Sequence, residues 1–313
     1  PSANLDNQGN AQLAATVKQL KQAGKTILIA DHRIHYLMEV VDRVVYLAKG
    51  EVKAQWTIDE FRQLSKTVLH SFDIREKQEV YISELLREEN QEPAFLALQN
   101  LTIGYHRLAP SLIKDLNLTL AKGEIVLITG ENGLGKTTLA RTLCGLNKEQ
   151  AGSISINGQL QTAKKRREKC WFVLQDADYQ LFSDSVLNEL LLGTKKTEKN
   201  LVKAERLLKE LNLWKLKDQH PATLSGGQKQ RLVFAVGLMR VPELLILDEP
   251  TSGLDAGNMR RVQRMIVDYA NKGITFVIIT HDLEFAKGFG RRTIQLEKTA
   301  SSKLQPSDLA VFK

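Results

Sequence analysis

Three short stretches of this chain hold residue types whose chemistry depends on their spacing. The first runs from Gly130 to Thr137 as "GENGLGKT", after the apolar "IVLIT" and before "TLARTL". Glycines at such positions let the backbone turn its N–H groups inward around a phosphate. Lys136 would reach the outer phosphates, and Thr137 would offer a hydroxyl to Mg2+. Gly130, Asn132, Gly133, Gly135, Lys136, Thr137 and Thr138 form the expected nucleotide-binding set. The second stretch, "LLILDEP" at 244–250, ends a strand-sized apolar run with two carboxylates. Asp248 there would hold Mg2+ through water, and Glu249 would orient and polarise an attacking water. The third, "LSGGQKQR" at 224–231, opens a helix with Ser225, Gly226, Gly227 and Gln228, whose free N–H groups make a second anion site. One phosphate loop has no use for two such sites. The second is expected to close over the γ-phosphate of ATP held by another domain, which makes the nucleotide a glue between two domains.

These groups need a sheet to carry them. From about residue 94, apolar strand-sized runs alternate with helical patterns, which predicts a parallel sheet covered on both faces, with strands near 125–129, 170–174, 244–248 and 275–280. The 313 residues suffice for one large α/β domain and something smaller, and 42% hydrophobic content is that of a globular chain. No apolar run approaches the roughly 18–20 residues of a membrane span, so any membrane role must run through a partner. Cys144 and Cys170 form no CxxC pair and sit in apolar surroundings, where small buried hydrophobes are expected rather than zinc or redox chemistry. The net charge of +8 comes from the later part of the chain: residues 1–93 carry 12 basic and 14 acidic side chains, residues 94–313 carry 32 and 22.

The opening "PSANLD" repeats "PTSGLD" at 250–255. At that offset of 249, Asp6 meets Asp255, Gly24 meets Gly273, His32 meets His281 and Arg43 meets Arg292, while "KTILIADH" lies over "ITFVIITH", both with the β-branched content expected of a buried parallel strand. A register without gaps across loop, strand and polar landmarks predicts the end of one domain followed by a complete second copy. The expected boundaries are a C-terminal remnant at 1–50, a linker at 51–93, the complete copy at 94–300 and a tail at 301–313. The chain starts without Met or a leader pattern and reads as a piece of something longer. In the linker, Thr57 and Glu60 predict a helix-opening capping box, and "EVYISELLREENQEP" an acidic amphipathic helix ending before Pro93.

In this order the motifs resemble the nucleotide-binding domain of ATP-binding cassette (ABC) proteins over 94–298, and the end of another such cassette over 1–50. The resemblance implies a P-loop NTPase fold with a RecA-like core, an antiparallel β subdomain and an α-helical subdomain. It also implies that Tyr105 stacks on adenine, that Gln175 contacts Mg2+ and the attacking water, and that Asp255 belongs to the dimer loop. His281 would sense the γ-phosphate, and catalysis would fall to Glu249, Gln175, His281 and Lys136. Asn132 and Leu134 depart from the commoner small residues of the loop, without a required role in the backbone cradle. The stretch "LQDADYQLFSDSVLNELLLG" at 174–193, with "ADHRIHYL" at 30–37, is similar to tandem energy-coupling-factor ATPases. That likeness implies an importer motor for a vitamin or metal ion, peripheral on the cytoplasmic face of the cell membrane. Its expected partners are scaffold and substrate-binding membrane subunits and a second cassette in a head-to-tail dimer. The alternative is a soluble tandem-cassette ATPase acting on ribosomes. The acidic 51–93 segment argues against gripping RNA, and "AKKRREK" at 163–169 reads as a solvated loop face, so no nucleic acid is expected.

Overall fold

The computed structural model describes residues 5, 7–78, 93–289, 292–296 and 311–312. The chain opens with α1 (Asn7–Gln22), a hairpin of β1 (Arg43–Ala48) and β2 (Glu51–Thr57), and two short helices, α2 (Ile58–Gln63) and α3 (Lys66–Ser71). The hairpin joins what the sequence divides at 50/51, since Arg43 pairs with Thr57 and Ala48 with Glu51. The expected capping box forms: the Thr57 hydroxyl accepts from the Glu60 N–H, and the Glu60 carboxylate accepts from the Thr57 N–H. The helix expected before Pro93 lies largely outside the described residues, as does Asp6.

One expectation for this first part differs. "KTILIADH" is not a ladder strand, and Leu28 is 97% exposed. A parallel strand draws its order from neighbours on both edges. None flanks this run among the described residues, and Ile27 and Ile29 cluster instead with Leu13 and Val17 of α1 and with Leu37 and Val40 after the run.

The stretch expected as a complete copy begins with β3 (Ala94–Gly104) and β4 (Ser111–Ala121), then β5 (Ile125–Gly130) and α4 (Lys136–Leu143). Next come β6 (Ala151–Ile156), β7 (Gln159–Leu160), α5 (Ala163–Lys169) and β8 (Cys170–Val173). A helical section follows: α6 (Val186–Leu191), α7 (Glu198–Glu210) and α8 (Gly226–Met239). The chain then returns to the sheet through β9 (Leu244–Asp248), α9 (Ala256–Asn271), β10 (Thr275–Ile279), α10 (Leu283–Lys287) and β11 (Thr293–Leu296). In the stretch expected as tail, β12 (Val311–Phe312) adds an edge strand.

The parallel sheet has the order β12-β11-β5-β10-β9-β8, and the antiparallel sheet the order β4-β3-β6-β7. Strands β5, β9 and β10 are buried almost throughout, which is why they read as unbroken apolar runs rather than alternating ones. One core lies between the two sheets, around Leu98, Val126, Leu139 and Ile246. The other lies under the helical section, where α8 is buried from Gln230 to Met239 as a helix apolar on nearly all sides must be. Cys144 and Cys170 are buried and free, and burial pushes the Cys170 thiol up to about 12, so both act as packing groups. The "AKKRREK" segment is α5 rather than a loop. Its Arg166 is fully buried and paired with Glu149 at 2.6 Å, so that charge is structural.

Candidate functional site

The parallel strands β5, β9 and β10 end side by side, with Ile279 level with both Ile128 and Asp248. At that carboxyl edge lies a cavity of about 200 Å3, lined by Leu5, Tyr105, Asn132, Gly133, Gly135, Lys136, Thr137, Thr138, Gln175, Asp248, Glu249, Ile279 and His281. Crevices of this kind, outside the carboxyl ends of parallel strands, are where such sheets bind ligands.

The loop between β5 and α4 needs its glycines for stated reasons. Gly130 (φ 140°) and Gly135 (φ 95°) lie in backbone regions that side chains rarely adopt. A Cβ on Gly130 would also stand 2.4 Å from the Leu296 carbonyl oxygen. Gly133 has open space around its Cβ position instead, and it lines the cavity. Lys136, buried, folds back over the loop and donates to the carbonyls of Gly130 at 2.5 Å and Glu131 at 2.7 Å. The Thr137 hydroxyl donates to Asp248 Oδ2 at 2.8 Å, which brings together the two groups expected at a divalent cation. Burial raises the Asp248 carboxyl, and the Thr137 hydrogen bond and Lys136 oppose it. Among the described residues no three His, Cys, Asp or Glu side chains form a metal cage. Mg2+ needs only one or two protein oxygens when phosphates and water supply the rest, so the hydroxyl, carboxylate and amide oxygens of Thr137, Asp248 and Gln175 fit it.

Glu249 has the most constrained environment in the site. Its φ of 47° is left-handed, a position that costs a non-glycine residue about 1 kcal/mol or more and that gathers at functional sites. The turn is held by its own N–H donating to Ile279 O at 2.8 Å. The carboxylate is held by the Thr280 hydroxyl at 3.1 Å and the His281 N–H at 2.9 Å. Burial pushes its pKa up to about 7, against the opposing pull of Arg33 and these two donors. A carboxylate near neutrality in a cavity is poised to take a proton from water. His281 Nε2 lies 3.2 Å from Asn132 Oδ1 and 3.9 Å from Glu249, so the imidazole bridges the phosphate loop and the acid.

The structure therefore brings Tyr105, the phosphate loop, Gln175, Asp248, Glu249 and His281 to one cavity. Tyr105 is 67% exposed, so its ring face is open to a ligand in the cavity. Ser225, Gly226, Gly227, Gln228 and Asp255 do not line it. Ser225 caps α8 in a reciprocal box with Gln228, and Asp255 caps α9 by accepting from Asn258 N at 2.7 Å. Gly227 admits no side chain, because a Cβ would stand 2.7 Å from Gly253 O, whereas Gly226 faces open space. Residues that the motifs did not point to also take part. Thr280 holds the Glu249 carboxylate; Leu5 reaches the cavity from the first part of the chain, and its repeat partner Leu254 was the available signal. Arg33 and Arg75 pair with Asp282, the residue after His281, and Arg75 had no signal in any motif.

Fold and site together define a P-loop ATPase cassette. Residues 113–252 match the ABC transporter family model. A putative ABC transporter ATP-binding protein of Treponema denticola is 41% identical over 303 residues, covering 95% of this chain. The chain spans 61% of that relative's length. Among solved structures, cbiO1 of Clostridium perfringens, described as part of the ABC transporter complex cbiONQ, is 33% identical with a TM-score of 0.54, covering 61% of this chain and 80% of that one. A bacterial ABC transporter cassette solved as a dimer is 28% identical with a TM-score of 0.57, covering 64% and 93%. The chain belongs to the ABC transporter family of ATP-binding proteins.

Proposed function

We propose that this chain is the ATP-hydrolysing part of an importer motor of the energy-coupling-factor type, working at the cytoplasmic face of a membrane for a vitamin or metal-ion importer. The observation that carries the hydrolytic reading is the strained, buried Glu249 beside the Thr137–Asp248 pair in the cavity of the phosphate loop. Tyr105 stacks on the adenine, and the loop N–H groups with Lys136 hold the phosphates. Thr137, Asp248 and Gln175 would hold Mg2+, which would neutralise phosphate charge there. Water oriented by Gln175 and Glu249 attacks the γ-phosphorus and passes its proton to the Glu249 carboxylate. The bond from that phosphorus to the β–γ bridging oxygen breaks, and ADP and phosphate leave, with His281 bonded to the γ-phosphate oxygens. Residues 225–228 and 255 serve the site of a partner cassette, which accords with their not lining this cavity.

The importer reading rests on the names of the relatives, which favour transport over the ribosome-associated alternative, and on the likeness to cbiO1. Among the described residues no helix is long and apolar enough to cross a membrane, so membrane subunits are its proposed partners. The test is a pair of substitutions made where both cassettes are complete. Glu249→Gln is expected to keep ATP binding while lowering turnover by roughly 10²–10⁴-fold. Lys136→Ala is expected to weaken binding itself, because it removes a charge in contact with the phosphates. Near-normal hydrolysis by Glu249→Gln would remove Glu249 as the base.

A further inference from the structure

Arg33 and Asp282 hold the same place in the two copies, 249 positions apart, and they meet each other. Arg33 Nη2 lies 3.5 Å from Asp282 Oδ2, with the side chains 9% and 3% exposed. Equivalent positions meet face to face only beside the two-fold axis of a self-complementary contact. Leu5, the equivalent of Leu254, agrees with that geometry by reaching into the cavity of the other copy.

The two positions carry opposite charge. Unlike copies therefore place a cation against an anion on the axis, while two copies of the 94–300 cassette would place Asp282 against Asp282. Away from water, like charges in contact are strongly unfavourable. Arg75 deepens the asymmetry: Nη1 lies 2.5 Å from Asp282 Oδ2, and Nε and Nη2 donate to Leu254 O at 3.2 and 3.0 Å. The neighbouring Asp73 accepts from Ala256 N through its carbonyl and pairs with Arg260 at 2.7 Å. Burial alone would raise the Asp282 carboxyl, but Arg75 first and then Arg33 hold it well below the usual range, so it stays an anion.

We propose that the Arg33–Asp282 pair on the pseudo-two-fold axis is a selectivity element, by which the cassette accepts the unlike cassette of its own chain and rejects a second copy of itself. This rests on the two-copy reading of the chain, and ATP binding is scored separately so that failure of the site and failure of the selectivity are told apart. The experiment measures the mass of the 313-residue chain with Mg-ATP in a Glu249→Gln background, alone and with Arg33→Met, Asp282→Asn or Asp282→Glu. The parent, Arg33→Met and Asp282→Glu keep the anion and are expected to stay monomeric. Asp282→Asn removes the like charge and is expected to dimerise at least tenfold more tightly. Dimerisation of Arg33→Met as tight as that of Asp282→Asn would overturn the proposal, as would an Asp282→Asn chain that binds ATP and stays monomeric. A second measurement does not depend on Asp282→Asn folding. Arg33→Glu is expected to speed amide exchange across residues 35–41 at least tenfold, and exchange unchanged from the parent would also overturn the proposal.

Discussion

Burial of the Glu249 carboxyl costs stability once it ionises. The carboxyl moves from an ordinary 4.5 to about 7 because burial disfavours the anion. Below pH 4.5 the acid is protonated in folded and unfolded chains alike, and burial costs little. As pH rises from there through 7, the unfolded chain ionises first and the folded state loses ground, so the raised pKa favours folding only on the acid side. Glutamine has no proton to lose. Glu249→Gln is therefore expected to stabilise the chain at pH 8 by on the order of 2 kcal/mol, with the gap closing by pH 4. Melting at several pH values checks this, and a gap independent of pH would contradict it. At this scale the site was largely legible in the sequence. The phosphate loop and the 248–249 carboxylates are local patterns whose spacing implies their geometry. Thr280 was not legible, because its bond to Glu249 spans two strands that only the sheet makes adjacent.

At the scale of elements, the segment after Gln175 holds its shape from within while showing an apolar face. Gln180 bonds the backbone of Phe172 and Leu174, and the buried Glu189 accepts from the N–H groups of Phe182 and Ser183 at 2.8 and 2.7 Å. Leu181 packs against the core beneath, but Tyr179 and Phe182 are 73% and 76% exposed. Aromatics at this spacing could equally fill a core, and their exposure removes that role. Changing both to Ser is expected to alter folding stability by no more than about 1 kcal/mol, against about 3–5 for a buried aromatic. In a complete transporter, the same change is expected to reduce uptake or assembly at unchanged ATP affinity. A large fall in melting temperature would instead return these side chains to the core. The 25–30 run shows the opposite limit of sequence reading. Its β-branched pattern is that of a buried strand, yet pattern alone supplies no neighbour to pair with.

For the whole molecule, the decisive arrangement is that one chain holds one phosphate loop and one "LSGGQ" segment on the same cassette, with the second outside the cavity of the first. The 313-residue chain is expected to bind Mg-ATP as a monomer and hydrolyse it negligibly. What activity remains should come from two chains, each lending Ser225–Gln228 to the other's Lys136, so that specific activity rises with protein concentration. A complete first cassette ahead of residue 1 should make the rate nearly independent of concentration. Robust hydrolysis that is unchanged on dilution, by a chain that stays monomeric with ATP, would count against the two-cassette reading.

By itself, the sequence determined the phosphate-loop motif, the strands that carry it and the 249-residue offset between like segments, because each is written in contiguous residues whose order survives without knowledge of contacts. It also held the charge inversion between Arg33 and Asp282, though nothing in one dimension said that the two positions touch. Tertiary structure alone decided that Glu249 would be buried and near neutrality, that Tyr179 and Phe182 would face outward, and that Arg75 would reach Asp282 across 207 positions. Burial and charge pairing depend on which surfaces fold against each other, and that is a property of the assembled chain rather than of any stretch of it.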